Sequence, residues 1–592
     1  MDITRILKNA AKPAAAVAMM MAIALPQASA DAVKGVMLNR SYVVIRPGDS
    51  DTLTADILPF DAPQEAVTWK IDDPQVATVD QSGVITAVAT GMATLSVTSR
   101  DGYKAACTVK VSEKDSDFSR NLTGTMGGPG AGTPPEGGTP PEGGTPPEGG
   151  DGQTPPDMDS GMGGGPGGGM GGGPGGGMGG GGRMGGGPMS GNRMSSYSNR
   201  RSVSDESDAT DENAYVQNGG QNELSEVAYS SKTSDANAIK LTGGALVMND
   251  CNISKLGGNT KSEDGSNYYG LNAAILARRG ARMTITGGSV DTKAKGASGI
   301  VAYGGYVDVA EAGVTCAEKN SRGIQASGGG IVEAYSLTVN TKGQNSPAIA
   351  LGRGGGAISV IGGQYNTEGK DAAVLYSTGD LTANCITGTS SQGELAVVEG
   401  DNFVAINNCD LSSGAKSSGR GLLVLQSGTG DAGFGLDGTI TVAGGSLTMT
   451  DKGAPLIEIV TNVTGKVTLD GVKTEIPSGI LMNVDYNKNW NTYGATGVLV
   501  LSGEGTTYSG SILADQYSTT KVTVNQGVVW EGAYDTADSG KVTTLTLNGG
   551  TWNLSGDSCV DKITLNDGAV INKNGHKLTY TKLKQNSGQV ND

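Results

Sequence analysis

Aromatic side chains make up only 4% of this 592-residue chain, and histidine occurs once, as His576. So few rings leave no means of filling a conventional globular core along the whole length, and the interior has to come from Val, Ile, Leu and Ala. A lone histidine removes every His-based zinc site or His-dependent triad that does not pass through residue 576. The six cysteines, Cys107, Cys251, Cys316, Cys385, Cys409 and Cys559, include no C-x-x-C pair, which argues against zinc or thioredoxin-like chemistry. Basic residues are outnumbered, with a formal net charge of −16. Such a surface repels phosphate backbones, so nucleic acid is set aside as a partner.

Long apolar runs are also scarce. "AAAVAMMMAIAL" (14–25) follows the positive residues Arg5, Lys8 and Lys12 and precedes "ASA" (28–30). A dozen apolar residues are too few to span a bilayer but suit an export signal. Residues 1–30 therefore read as a signal peptide, and no membrane span is expected after its cleavage. Removal takes the charge to −18, and export makes disulfides permissible.

What is abundant is glycine, at 98 residues, far above the average of about 7%. Its distribution divides the chain. Residues 31–114 alternate apolar and polar positions in short runs broken by turn signals, the pattern of a small antiparallel sandwich. "VTWKIDDPQVATVDQSGVITAVATGMATLSVTS", with Trp69, "VATVD", the turn glycine Gly83 and the phrase from Ala89 to Val97, closely resembles the bacterial immunoglobulin-like domain, group 2. The resemblance implies that Trp69 is a core residue and that the domain serves as a spacer or presenter in exported and surface proteins.

Residues 115–212 show no apolar period. "GTPPEGGTPPEGGTPPEGG" and "GMGGGPGGGMGGGPGGGMGGGG" are too rich in Pro and Gly for a packed structure, so a disordered Gly/Pro/Met-rich tether is expected. Duplication of the repeat unit accounts for the spacing of Met162, Met170 and Met178 without any copper ligand. No cofactor or metal is expected.

In residues 213–592 a small residue followed by an aliphatic one recurs at Ala274-Ile275, Gly299-Ile300, Gly323-Ile324, Ala348-Ile349, Ala373-Val374, Ala396-Val397 and Gly421-Leu422. The aliphatic positions are 25, 24, 25, 25, 23 and 25 residues apart. A second phrase follows each first one across a glycine-containing turn, as in "GGGIVEAY" around Ile331. Short strands repeated at this period bury their apolar face only by stacking on their neighbours. The expected fold is thus all-β: Ig-like sandwich, tether and right-handed parallel β-helix. Some twelve to fifteen coils would make a rod of about 60–70 Å. The closing coils, from Thr544 to Thr579, resemble pectin-lyase-like and adhesin-type β-helices.

Candidate sites follow from that architecture. Asp308 and Glu333 hold equivalent outward positions and form the candidate catalytic pair, with Arg322 and Arg353 in nearby coils; the alternative is a solvated polar ladder. The "G-H-G" and "N-T-D" phrases that a polygalacturonase resemblance would require are absent. Tyr486, Trp490 and Tyr493, in an inserted loop, form a candidate aromatic platform for sugar rings. Cys385 and Cys409, 24 residues apart, come within disulfide range if they stack on adjacent coils; the alternative is inward stacking of two thiols. The function these features suggest is an exported, non-enzymatic surface or secreted protein presenting a rod to an extracellular glycan or surface protein. The alternative is a pectin-lyase-like polysaccharide-degrading enzyme.

Overall fold

The computed structural model describes residues 33, 35–58, 62, 64–114, 209–415, 419–426, 437–460, 462–486, 494–535 and 537–592. The segments read as signal peptide and tether lie almost wholly outside these residues. Among the described residues a single short helix, Glu263–Tyr269, accompanies the strands.

The N-terminal unit is the expected sandwich. Strands Tyr42–Ile45, Lys104–Val111, Gly91–Thr98 and Thr68–Ile71 form one sheet, and Ser50–Thr52, Val84–Ala87 and Ala77–Val79 form another. Trp69, 7% exposed, joins the core between them. Gly83 has φ +83°, and a Cβ there would lie 2.4 Å from the Leu53 carbonyl oxygen and 2.9 Å from Trp69 Cζ2. The Trp and Gly of the motif are therefore one packing unit: the ring occupies the space that a side chain at residue 83 would need.

The remainder is one long parallel stack. Glu223, Val247, Thr284, Asp308, Glu333, Ser359, Thr382, Ala405, Thr441, Thr468, Val500, Thr523, Thr546, Thr564 and Lys584 are consecutive partners in parallel register. They mark fifteen coils, a β-helix about 67 Å long at the usual inter-strand spacing. Val307, Val309, Val332, Ala334, Ile358 and Val360 point inward and are buried in one continuous column. Toward the C-terminus the column contains stacked rings: Trp530 and Trp552 lie with centroids 4.9 Å apart and planes 6° from parallel.

One corner of the coil passes through the left-handed region at the same phase in successive turns, at Glu226, Asp250, Gly287, Glu311, Ser336, Gly362, Cys385, Asn408, Gly444 and Gly471. Only four of these are glycine, so the corner is set by the coil rather than by glycine alone. The aliphatic ladder also departs from the expected register in two coils. Leu375, not Val374, pairs with Ile349, and Ala396, not Val397, continues to Leu422. Val397 points outward instead, into a buried cluster with Ala373, Leu423, Leu425 and Val460.

The Ig-like unit is seated on the outer face of the rod. Lys104 N–H donates to Asn408 Oδ1 at 2.9 Å, and Asn408 Nδ2 donates to the Lys104 carbonyl at 2.6 Å. Ala106 N–H donates to Asn407 Oδ1 at 3.1 Å, and Lys104 Nζ reaches Asp470 Oδ1 at 2.5 Å. Hydroxyl pairs Ser41–Thr382, Thr94–Thr468 and Thr108–Thr441 lie at 2.6, 3.2 and 3.4 Å, and the Tyr42 and Phe403 rings are 5.5 Å apart. The Ig-like unit is thus a docked module whose contacts reach across more than 300 residues of sequence, an arrangement the sequence did not indicate.

Candidate functional site

Asp308 and Glu333 are brought together as expected, directly opposite in adjacent coils. Both leave the coil outward, because the alternation that buries Val307 and Val309 turns residue 308 the other way. The ladder is not simply solvated, however: Asp308 is only 4% exposed. Tyr306 Oη donates to Glu333 Oε2, and the Arg282 guanidinium lies over the Tyr306 ring, 4.1 Å from its centroid. Burial, reinforced by the charge of Glu333 and opposed by Arg282, pushes the Asp308 carboxyl up to about 6. Burial and the neighbouring Glu333 also raise the phenols of Tyr306 and Tyr335, which keeps both protonated as donors. The patch therefore combines two phenols, a guanidinium and two carboxyls, one of which takes up a proton in mildly acidic solution.

Arg322 and Arg353 do not serve this patch. Arg322 Nη1 donates to Asn267 Oδ1 at 2.7 Å, and Arg353 lies over the Tyr268 ring at 4.1 Å, so both hold the short helix against the rod. Arg282 takes the role expected of them. It is directly opposite Tyr306 in the preceding coil, a relation that appears only once the register is known.

A second carboxylate patch was not singled out from the sequence. Arg420, with its side chain 5% exposed, lies between Glu394 and Glu458, with Nε 3.4 Å from the first and Nη1 3.5 Å from the second. Burial raises both carboxyls, Glu458 to about 7, although Arg420 acts in the opposite direction. Asp485 is raised by burial and by Asp515. A readable signal was present: Glu394 and Arg420 each stand two residues before the aliphatic ladder positions Ala396 and Leu422, so opposite charges recur at one phase of the repeat.

Tyr486 adjoins this second patch. Its N–H donates to Asp515 Oδ2 at 2.9 Å, and its ring meets Tyr517 edge-on, with centroids 4.6 Å apart. Asp515 also accepts from Tyr517 N–H at 3.0 Å, so one aspartate positions both tyrosines. Tyr517, 44% exposed, is the ring presented to solvent. Trp490 and Tyr493 lie outside the described residues.

No disulfide joins Cys385 to Cys409, or any other pair of the six cysteines. The coil step here is 23 residues, since Asn384 pairs with Asn407, whereas the cysteines are 24 apart. Cys385 therefore takes the left-handed corner in line with Asn408, φ 55° and 51°. Cys409 immediately precedes the next strand, Asp410–Ser413, and is buried in the core. Cys385 instead faces the Ig-like unit, where its sulfur fills the space next to Gly35. Among the described residues no group of three His, Cys, Asp or Glu side chains is placed to hold a metal ion. His576 Nδ1 lies 3.8 Å from Asp557, in the final coils.

Comparison with known proteins concerns the N-terminal unit. A lacto-N-biosidase of Bifidobacterium bifidum is 40% identical over 88 residues, 15% of this chain and 8% of its own length. Two uncharacterized proteins of Clostridium acetobutylicum are each 35% identical, over 81 and 78 residues, which are 14% and 13% of this chain and 20% and 8% of theirs. The chain thus spans no more than a fifth of any of these relatives. The matching family model covers residues 32–109, which coincide with the sandwich built around Trp69 and Gly83, and this unit is a bacterial Ig-like domain (group 2).

Proposed function

We propose that the chain is an exported surface or secreted protein that binds an extracellular glycan along the outer face of its rod. The observation that carries this reading is the patch formed by Arg282, Tyr306, Asp308, Glu333 and Tyr335. Sugar rings are recognised by aromatic faces for their C–H surfaces and by carboxylates and guanidinium groups for their hydroxyls, and the patch offers each of these within neighbouring coils. The Tyr486–Tyr517 pair adds an aromatic edge elsewhere on the rod. The export reading is supported by the N-terminal sequence and by the Ig-like module; no helix among the described residues is long and apolar enough to cross a membrane.

One observation favours a second reading. A carboxyl raised to about 6 next to another carboxylate is the arrangement that divides general acid from general base in polysaccharide cleavage. In that reading Asp308 donates the proton and Glu333 accepts one. A glycan array, followed by incubation of each retained glycan with the protein and chain-length analysis, separates the two. Binding that Tyr306→Phe or Glu333→Gln weakens about tenfold, with no cleavage, supports the lectin-like reading. Cleavage abolished in Asp308→Asn supports the enzyme. Glycan binding unaffected by any of these substitutions refutes the assignment of the patch.

A further inference from the structure

We propose that the docked Ig-like domain is the end wall of the glycan-binding face, so that the protein holds the terminus of a sugar chain and not an internal stretch; the inference rests on the patch assigned above. The outward face of the sheet that carries the patch is three side chains wide, since each strand turns alternate residues to it. Ile331, Glu333 and Tyr335 form one row. In parallel register the next rows are Ala357, Ser359 and Ile361, then Asp380, Thr382 and Asn384, then Phe403, Ala405 and Asn407. The patch ends at Glu333 and Tyr335. The Ig-like domain begins two rows further on, where Ser41 Oγ meets Thr382 Oγ1 at 2.6 Å. At the usual inter-strand spacing that separation is about 10 Å along the rod.

The domain closes all three lanes of the face. In the first, the Tyr42 ring packs on Phe403, and Lys466 Nζ donates to the Met92 carbonyl at 3.2 Å. In the middle lane Thr441 and Thr468 meet Thr108 and Thr94. In the third, Asn407 accepts from Ala106 N–H and Asp470 pairs with Lys104. A chain lying along the face in this direction therefore meets protein across the whole width of the sheet.

The row between patch and wall is the lowest of the three. Ala357 and Ser359 point outward yet are only 8% and 6% exposed, being short side chains between the longer ones of the preceding row and the seated domain. A recess with one closed side suits a terminal sugar: the Tyr335 ring stands at its entrance, and the hydroxyls of Ser359, Thr382 and Ser41 mark its floor and far side. An internal sugar has a neighbour on each side, and the wall occupies the position of one of them.

The binding mode is read as a stoichiometry. Isothermal titration calorimetry uses the intact chain and a length series, from short oligosaccharide to long polymer, of each array-retained glycan built of one repeating unit. One protein per sugar chain is expected at every length, with the affinity per chain unchanged. S359W, which fills the recess and leaves the patch in place, should bind at least about tenfold more weakly. N407A/N408A removes hydrogen bonds that seat the domain, and its release is followed by hydrogen exchange in Lys104–Val111. Once the domain is released, the number of proteins bound should rise with chain length. A wild-type stoichiometry that rises with chain length overturns the inference and leaves the patch assignment standing, and so does S359W binding like the wild type. Retention indifferent to Glu333→Gln, or no retention at all, instead removes the patch assignment and this inference with it.

Discussion

Replacing Glu458 by Gln removes one partner of a buried ion pair, and the structure requires that this stabilise the protein at alkaline pH. Glu458 is raised from 4.5 to about 7, with burial the largest cause and Arg420 only partly offsetting it. At about 1.36 kcal/mol per pH unit, the ionised carboxylate is about 3 kcal/mol worse off in the folded coil than the protonated acid. The folded state binds the proton more tightly than the unfolded state, so between about pH 4.5 and 7 stability falls as pH rises. The benefit is complete below the lower value and lost above the upper one. Glutamine mimics the protonated acid, while Arg420 keeps Glu394 at 3.4 Å. Urea denaturation of the wild type and Glu458→Gln at pH 5 and pH 8 reads the effect directly. The curves should nearly coincide at pH 5 and separate by up to about 3 kcal/mol in favour of the variant at pH 8. Asp308, also raised, contributes equally to both proteins and cancels from the difference. A variant less stable than the wild type at pH 8 would refute the reasoning, because Arg420 would then more than offset the burial of a charged Glu458.

Gly83→Ala places a methyl group against the Leu53 carbonyl and the Trp69 ring at a left-handed φ. It should lower the stability of the Ig-like domain by about 3 kcal/mol, read by calorimetry as a downward shift of that domain's transition with the rod transition unchanged. Asn408→Ala deletes two hydrogen bonds to the backbone of Lys104. Hydrogen exchange in Lys104–Val111 should accelerate by the equivalent of about 1–3 kcal/mol; unchanged exchange would mean that the docked arrangement does not persist in solution. Under denaturing, non-reducing conditions six thiols should react with an alkylating reagent, with no change in intact mass on prior reduction. Burial holds the Cys385 thiol up at about 11, so in the native state it should react slowly at neutral pH.

The coils themselves were legible because their signal is local. Inward and outward residues alternate within each strand, and Val307, Val332 and Ile358 announce the buried column without reference to anything distant. The pairing of Asp308 with Glu333 followed from that repeat, and the core position of Trp69 and the turn at Gly83 followed from a local motif, although their mutual packing did not. Register was legible only on average. A slip of one residue sends Val397 outward and separates Cys385 from Cys409, because in a strand a single position exchanges one face for the other.

What covers an outward residue was decided by tertiary structure alone. Thr382, Asn408, Thr441 and Thr468 carry no mark of it in the sequence, yet they form the seat of a domain whose contact residues lie about 300 or more positions earlier. A polar interface satisfies the same hydrogen-bonding groups that water would, so composition cannot distinguish the two. The same holds for Asp308, Glu394 and Glu458, whose carboxyls are raised chiefly because neighbouring coils exclude water from them and secondarily by nearby carboxylates. The sequence by itself determined the repeating coil and the sandwich, since both rest on patterns a few residues long. The three-dimensional arrangement decided which parts of the rod are open to a ligand and which are already occupied, since that depends on desolvation by groups far apart in the chain.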